Sequence, residues 1–357
     1  MPMIRSAAAP RTARRKSRRL LSSAAVALTV TILVAGCSSS SGAPADDGDF
    51  GELSIQLSWV KDVEFAGEYM ADSKGYYEDA GFSSVNLVAG PGATESLVAS
   101  GQMLVGITDP ISAAPAIVNE DAPIKIIGTT YQKNPFSILS LKDKGNIVTP
   151  DDLVGKRIGV QAGNETLFSA LLSANGIDEA DVTVVPVQYD PSPLINGDVD
   201  GFLAYVTNES VTLEQQGYEV ENLTYADNGL PFVTESYIAS DDSIENMRPQ
   251  LEAFLYATIL GWKDAIADPQ GSADLAVNDY GKALGLDTAK QLQQAEVTVP
   301  LIVTDETEEN GLFTISESLM AQNLETIAAT GVTISEEDLF DMSILADVYE
   351  AHPELKN

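Results

Sequence analysis

Between Leu53 and Pro110 the hydrophobic pattern switches repeatedly between the period of a strand and that of a helix, which leaves few ways for the chain to fold. LSIQLSW alternates apolar and polar side chains; FAGEYMADSKGYYEDAG spaces its apolar groups helically and stops on Gly81; VNLVAG reads as a second strand. A short helix over Glu95 to Ser100 leads into MLVGITDP, an apolar strand that halts at Asp109-Pro110. Proline is pre-set for a first helical turn, and the Asp109 side chain is placed to accept the free amides there, so a helix restarts at once over Ile111 to Val118. Alternating units of this kind form an α/β sheet whose loops and helix starts gather at the carboxyl ends of the strands, where small ligands bind.

Further along, Ile124 to Thr129 and Ser137 to Leu141 read as strands separated by the turn-prone Lys133-Asn134-Pro135. The charged KDKGNIVTPDDL then changes the texture of the chain, and the first crossing into a second lobe is placed there. GKRIGVQAGNETLFSALLSANG supplies strand, turn and helix, with Asn164 as the expected cap; its glycines match neither GxGxxG nor GxxxxGK[ST], so no phosphate loop is implied. Val182 to Val187 is a strand leaving at Tyr189-Asp190-Pro191, Ser192 to Ile195 a short helix, GDVDGF a turn and strand, and Asn208-Glu209 the start of another helical run. Pro231-Phe232 and Tyr237 to Ala239 suggest a strand returning to the first lobe. Leu251, Phe254, Leu255, Thr258, Ile259, Trp262 and Ile266 then share one helical face, and this helix and later ones around 273–284 and 317–330 are expected to pack on lobe one.

The amino terminus carries a different message. Arg5 to Arg19 holds seven basic residues, no acid occurs before Cys37, and Leu20 to Ala35 is an apolar run ending in small residues. That order describes an export signal. Val34-Ala35-Gly36-Cys37 resembles the cleavage and modification box of a bacterial lipoprotein, which accounts for an exported chain with a single cysteine. Ser17-Arg18-Arg19-Leu20-Leu21 weakly resembles a twin-arginine signal, so the export route stays open. Residues 38–51, SSSSGAPADDGDFG, read as a flexible tether. Removing the signal leaves 13 basic against 53 acidic residues, a charge of about −40, which repels nucleic acid backbones and anionic lipid surfaces.

LSWVKDVEFAGEYMADSKGYYEDAG, ESLVASGQMLVGITDP, DDLVGKRIGV and PLINGDVDGF, in that order, resemble the successive signatures of the SsuA/THI5-like (NMT1) group, largely extracytoplasmic binding proteins of ABC importers. The resemblance runs from about Leu53 to Ala267. It implies an α/β fold of the periplasmic-binding-protein-like type II, with two lobes, crossing hinge strands and a ligand cleft between the lobes. The expected division is a signal peptide over 1–36, a tether over 37–52, the first part of lobe 1 over 53–139, lobe 2 over 140–236, and the return to lobe 1 with C-terminal helices over 237–357. Pyrimidine synthases of the group carry a histidine after the first strand, a lysine after a GKVDMG-like strand and a cysteine cluster in the return segment. This chain has Val63 to Phe65, Thr108-Asp109 and LPFVTESY at those places, and its one histidine, His352, lies near the C-terminus. No catalytic residue, metal site or cofactor is therefore expected.

Aromatic rings at strand exits form the candidate site. Trp59, Phe65, Tyr189 and Tyr205 are expected to hold a planar heteroaromatic solute, with Trp59 and Tyr205 facing one another, while Asp109, Asn134, Asn164, Asn208 and Glu209 read its heteroatoms. Tyr76 and Tyr77 are assigned to packing. The VEFAG segment resembles the riboflavin branch of the group, so riboflavin is the first choice of ligand and a thiamine pyrimidine precursor or a sulfonate the alternatives. The implied partners are an ABC permease with its ATPase, and the membrane through acylated Cys37, around a monomeric body. A pyrimidine-forming enzyme and a surface interaction protein without a pocket are the competing readings from other classes.

Overall fold

A computed structural model describes residues 49–356. The segments expected to be the export signal and the tether as far as residue 48, and with them Cys37, lie outside the described residues. Among the described residues there are ten strands: β1 Glu52–Gln56, β2 Ser84–Val88, β3 Val105–Thr108, β4 Ile124–Tyr131, β5 Phe136–Leu141, β6 Arg157–Gln161, β7 Thr183–Val187, β8 Gly201–Tyr205, β9 Val220–Thr224 and β10 Thr234–Ser240. They form two five-stranded sheets of matching order, β2-β1-β3-β10-β4 and β7-β6-β8-β5-β9. In each sheet the first three strands run parallel and a strand arriving from the other half of the chain inserts antiparallel. This is the two-lobed α/β architecture the sequence suggests.

Local chemistry explains the elements. In β1, Leu53 and Ile55 are fully buried while Glu52 is exposed, the alternation of a sheet with one face on the core. The helix Pro110–Glu120 starts as expected: Asp109 accepts from the Ser112 amide at 2.9 Å, with proline in the first turn. Tyr77 lies wholly inside the first core, stacked with Phe254 at 6.3 Å. The helix Arg248–Ala267 crosses Ala66–Ser73 at a point where both contribute glycine. A Cβ on Gly261 would stand 2.1 Å from the Gly67 carbonyl oxygen, so only glycine lets the backbones approach this closely. Among the described residues no helix is long and apolar enough to cross a membrane.

The change of sheet comes earlier than the reading of KDKGNIVTPDDL places it. Residues 132–135 carry the chain from β4 to β5, and Phe136 already pairs with Tyr205 in the second sheet. The return is complete by Thr234, which pairs with Tyr131 in the first. Sheet membership follows backbone pairing, and a charged surface turn after β5 carries no information about it. Asn134 ties the two crossings together: its amide donates to the Phe232 carbonyl at 2.9 Å, its side chain donates to the Leu230 carbonyl at 3.0 Å, and its Oδ1 accepts from the Phe136 amide at 3.2 Å.

Candidate functional site

Between the two sheets lies a cavity of about 300 Å³, lined from both lobes. This is the lower end of the range for small-molecule sites. The loop after β1 brings in Ser58 and Trp59, and its path is set by a hydrogen bond from the Gly90 amide to the Trp59 carbonyl at 2.7 Å. A Cβ on Gly90 would meet the backbone of Leu57 and Ser58 at 2.5 Å, so glycine is required there. From the second lobe, Tyr189 follows β7 and its ring meets Trp59 edge-on at 4.9 Å, closing one rim of the cleft. Deeper in, Tyr205 at the end of β8 packs edge-on against Phe136 at 4.6 Å. The rings thus work as two pairs, Trp59 with Tyr189 and Tyr205 with Phe136, where a facing Trp59 and Tyr205 were expected.

Seven of the nine residues proposed for the site line this cavity: Trp59, Asp109, Asn164, Tyr189, Tyr205, Asn208 and Glu209. Phe65 does not. The turn of 3-10 helix Val63–Phe65, capped by Asp62 accepting from the Glu64 amide, sends Phe65 into the core at 1% exposure and presents Glu64 to the cleft. An apolar ring gains more from full burial than from half-exposure on a cavity wall. Asn134 is likewise absent from the lining, because its side chain is consumed by the crossing segments. Asn164 stands at the start of the helix Glu165–Ala174 without capping it; its side chain donates to Gln161 Oε1 at 3.4 Å. Asn208 and Glu209 sit on a wide turn of π-helix, Val206–Ser210, a local irregularity common at functional sites. Glu209 accepts from the Tyr205 amide at 2.8 Å, and Asn208 Oδ1 accepts from Lys290 Nζ at 2.7 Å.

Apart from the two tyrosines, the ionisable groups on the lining are all carboxyls, three of them outside the expected set. Glu64, Glu95 and Glu235 join Asp109 and Glu209, and no lysine, arginine, histidine or cysteine lines the cavity. Thr108 Oγ1 donates to Glu95 and Ser58 Oγ donates to Glu235 at 2.7 Å. Glu64 and Glu235 both line the cavity, close enough for each carboxyl to act on the other. Burial is the main cause that raises both, Glu64 well above the usual range and Glu235 to about 7, and each stands in the field of further carboxylates. Burial also lifts Glu209 to about 7 and raises Asp109. Glu235 adopts a left-handed backbone, φ 50°, within β10, a costly conformation for a residue with a side chain. TESYIAS carries no local mark of this: that every residue of β10 is buried is seen only in the folded chain. His352 lies outside the cavity lining, after the helix Ser343–Ala351, its ring 4.3 Å from that of Tyr256.

With the geometry in place, known proteins can be compared. The profile of the family described as NMT1/THI5 like matches residues 62–272. The riboflavin-binding protein RibY of Chloroflexus aurantiacus is 27% identical over 304 residues, which span 81% of this chain and 83% of that protein. A 4-amino-5-hydroxymethyl-2-methylpyrimidine phosphate synthase of Schizosaccharomyces pombe is 27% identical over 217 residues, 56% of this chain and 62% of the synthase. Among solved structures, the periplasmic aliphatic sulphonate binding protein SsuA of Escherichia coli superposes with a TM-score of 0.62 at 14% identity, covering 86% of this chain and 94% of that one.

Proposed function

Since the chain belongs to the NMT1/THI5 like family, we propose that it is the extracytoplasmic solute-binding component of an ABC importer, taking a planar heteroaromatic solute, riboflavin first, into the cleft between its lobes. One observation carries this reading: a cavity of about 300 Å³ between two matching sheets, walled by aromatic rings from both lobes and joined below by hinge segments. Such a cleft closes over a guest by rotation about the hinge and offers the closed form to a permease. Rings supply stacking area and the polar side chains between them set orientation. The likeness to RibY supports riboflavin as the first ligand to test.

Binding is favoured over pyrimidine synthesis by the content of the cleft, whose lining offers carboxylates and hydroxyls but no histidine, cysteine or lysine to serve as the synthases' reactive groups do. The same carboxylates favour one second reading of the ligand, a basic aminopyrimidine of the thiamine-precursor type. Export and acylation of Cys37 complete the proposal and rest on the amino-terminal sequence. Titration of riboflavin followed by flavin fluorescence tests the ligand: saturable quenching is expected, since the ring would stack against aromatic side chains. Saturable pyrimidine binding without any flavin response would replace riboflavin by the second reading. Saturable binding of neither would remove the ligand assignment.

A further inference from the structure

Glu64 and Glu235 occupy the deep wall of the cleft, 7% and 6% exposed, on the turn after β1 and on the returning strand β10. Ser58 Oγ is the one hydroxyl that donates to the pair, through Glu235. Among the described residues no hydroxyl, amide or cation is hydrogen-bonded to the Glu64 carboxyl, whose charged neighbours are Glu235, Asp62 and Glu209. The groups acting on them from neighbouring elements are acidic: Asp62 and Glu209 on Glu64, Asp109 and Glu68 on Glu235. Lys290 lies in an adjoining cavity beside Trp59 and Tyr189 and is engaged by Asn208. Among the described residues no three acidic, histidine or cysteine side chains are grouped to hold a metal ion. Two nearly buried carboxyls facing a cavity are therefore left with acceptor capacity and no protein cation to use it, an arrangement that costs free energy unless a guest completes it.

We infer that Glu64 and Glu235 are the polar anchor of the solute site, receiving a nitrogen edge of the ring that donates N–H hydrogen bonds, neutral or positively charged, and that the cleft rejects anionic solutes such as sulfonates. The inference rests on the reading of this cleft as the solute site, and it adds the charge class of the solute and the two residues that select it. Carboxyl oxygens on the cavity wall accept hydrogen bonds, matching an amide-like N–H or, more strongly, an amidinium. A sulfonate brings acceptor oxygens and negative charge to a wall that already has both. Strain in the backbone of Glu235 fits a side chain held in position for a guest.

Two probes sharing one ring test this without knowledge of the natural solute. Benzamidinium presents a planar N–H edge with positive charge, and benzenesulfonate an anion of similar size. The protein has two tryptophans, Trp59 in the cleft lining and Trp262 buried at 4% exposure, so intrinsic fluorescence reports on the cleft. Benzamidinium is expected to shift it saturably, and benzenesulfonate at equal concentration to leave it unchanged. Glu64→Gln and Glu235→Gln, each shown by circular dichroism to be folded, are expected to weaken benzamidinium by at least about 10-fold. Equal binding of the sulfonate, unchanged affinity in both variants, or no response to benzamidinium would each overturn the anchor. A protein that binds riboflavin with an affinity indifferent to both substitutions loses the anchor and keeps the flavin reading. One that answers benzamidinium through Glu64 and Glu235 but binds no flavin keeps the anchor and loses the flavin.

Discussion

Glu68 sits in the core of the first lobe at 1% exposure, one helix turn beyond Glu64, with Oε1 accepting from the Tyr237 hydroxyl at 2.7 Å and Oε2 without a partner. Burial lifts its carboxyl from 4.5 to about 7. Between those values the folded protein holds a proton that the unfolded chain has released, so this group's contribution to stability is complete below about 4.5 and lost as pH rises through 7. From pH 5 to pH 8 the loss amounts to about 2–3 kcal/mol. Glu68→Gln cannot titrate. Its carboxamide oxygen retains the Tyr237 hydrogen bond, and its NH₂ is left buried and unpaired, at a cost of about 1–3 kcal/mol that is the same at every pH. Urea unfolding of wild type and variant at pH 5, 6, 7 and 8 separates the two effects, because the other buried carboxyls remain in both proteins. The difference in unfolding free energy should change by about 2–3 kcal/mol across the series, with the variant losing less. A difference that stays constant from pH 5 to pH 8 would refute the assignment of a raised carboxyl at Glu68.

Trp59→Ala removes the rim contact with Tyr189 and one aromatic wall of the cleft; affinity for the bound solute should fall about 5- to 150-fold, or 1–3 kcal/mol, by titration calorimetry, with unfolding little changed. Gly261→Ala drives a methyl into the Gly67 carbonyl where two helices cross, and thermal unfolding should show a loss of about 1–3 kcal/mol or more. Cys37→Ser should abolish lipid labelling and release the protein from membranes; retention of both would exclude acylation at this residue.

The strand and helix periods of 53–110 anticipate the first half of lobe one, and Asp109-Pro110 marks a helix start because capping is a local interaction that the neighbouring amides complete. Aromatic residues at strand exits pointed to the cleft because the carboxyl ends of strands converge in any open α/β sheet. That logic places Trp59, Tyr189 and Tyr205 near the site but says nothing of which ring touches which.

Phe65 and Glu64 show where local reasoning ends. They are adjacent in one short turn, and the turn's orientation on the sheet, set by packing of the following helix, sends the ring inward and the carboxylate to the cleft. Nothing in VEF distinguishes the two outcomes. Glu235 is further from reach, since its place opposite Glu64 depends on β10 crossing back between β3 and β4, a pairing made across more than a hundred residues. Asn134 looked like a ligand contact because a turn asparagine and a hinge asparagine have the same sequence signature; the second crossing segment alone makes it a clasp. Composition and period thus determined the class of fold and the end of the sheets where the cavity lies, because both follow from local spacing and from burying one face of each element. The acidic wall, the ring pairs and the position of the hinge were decided by tertiary structure, because each is a relation between segments that meet only when both sheets have formed.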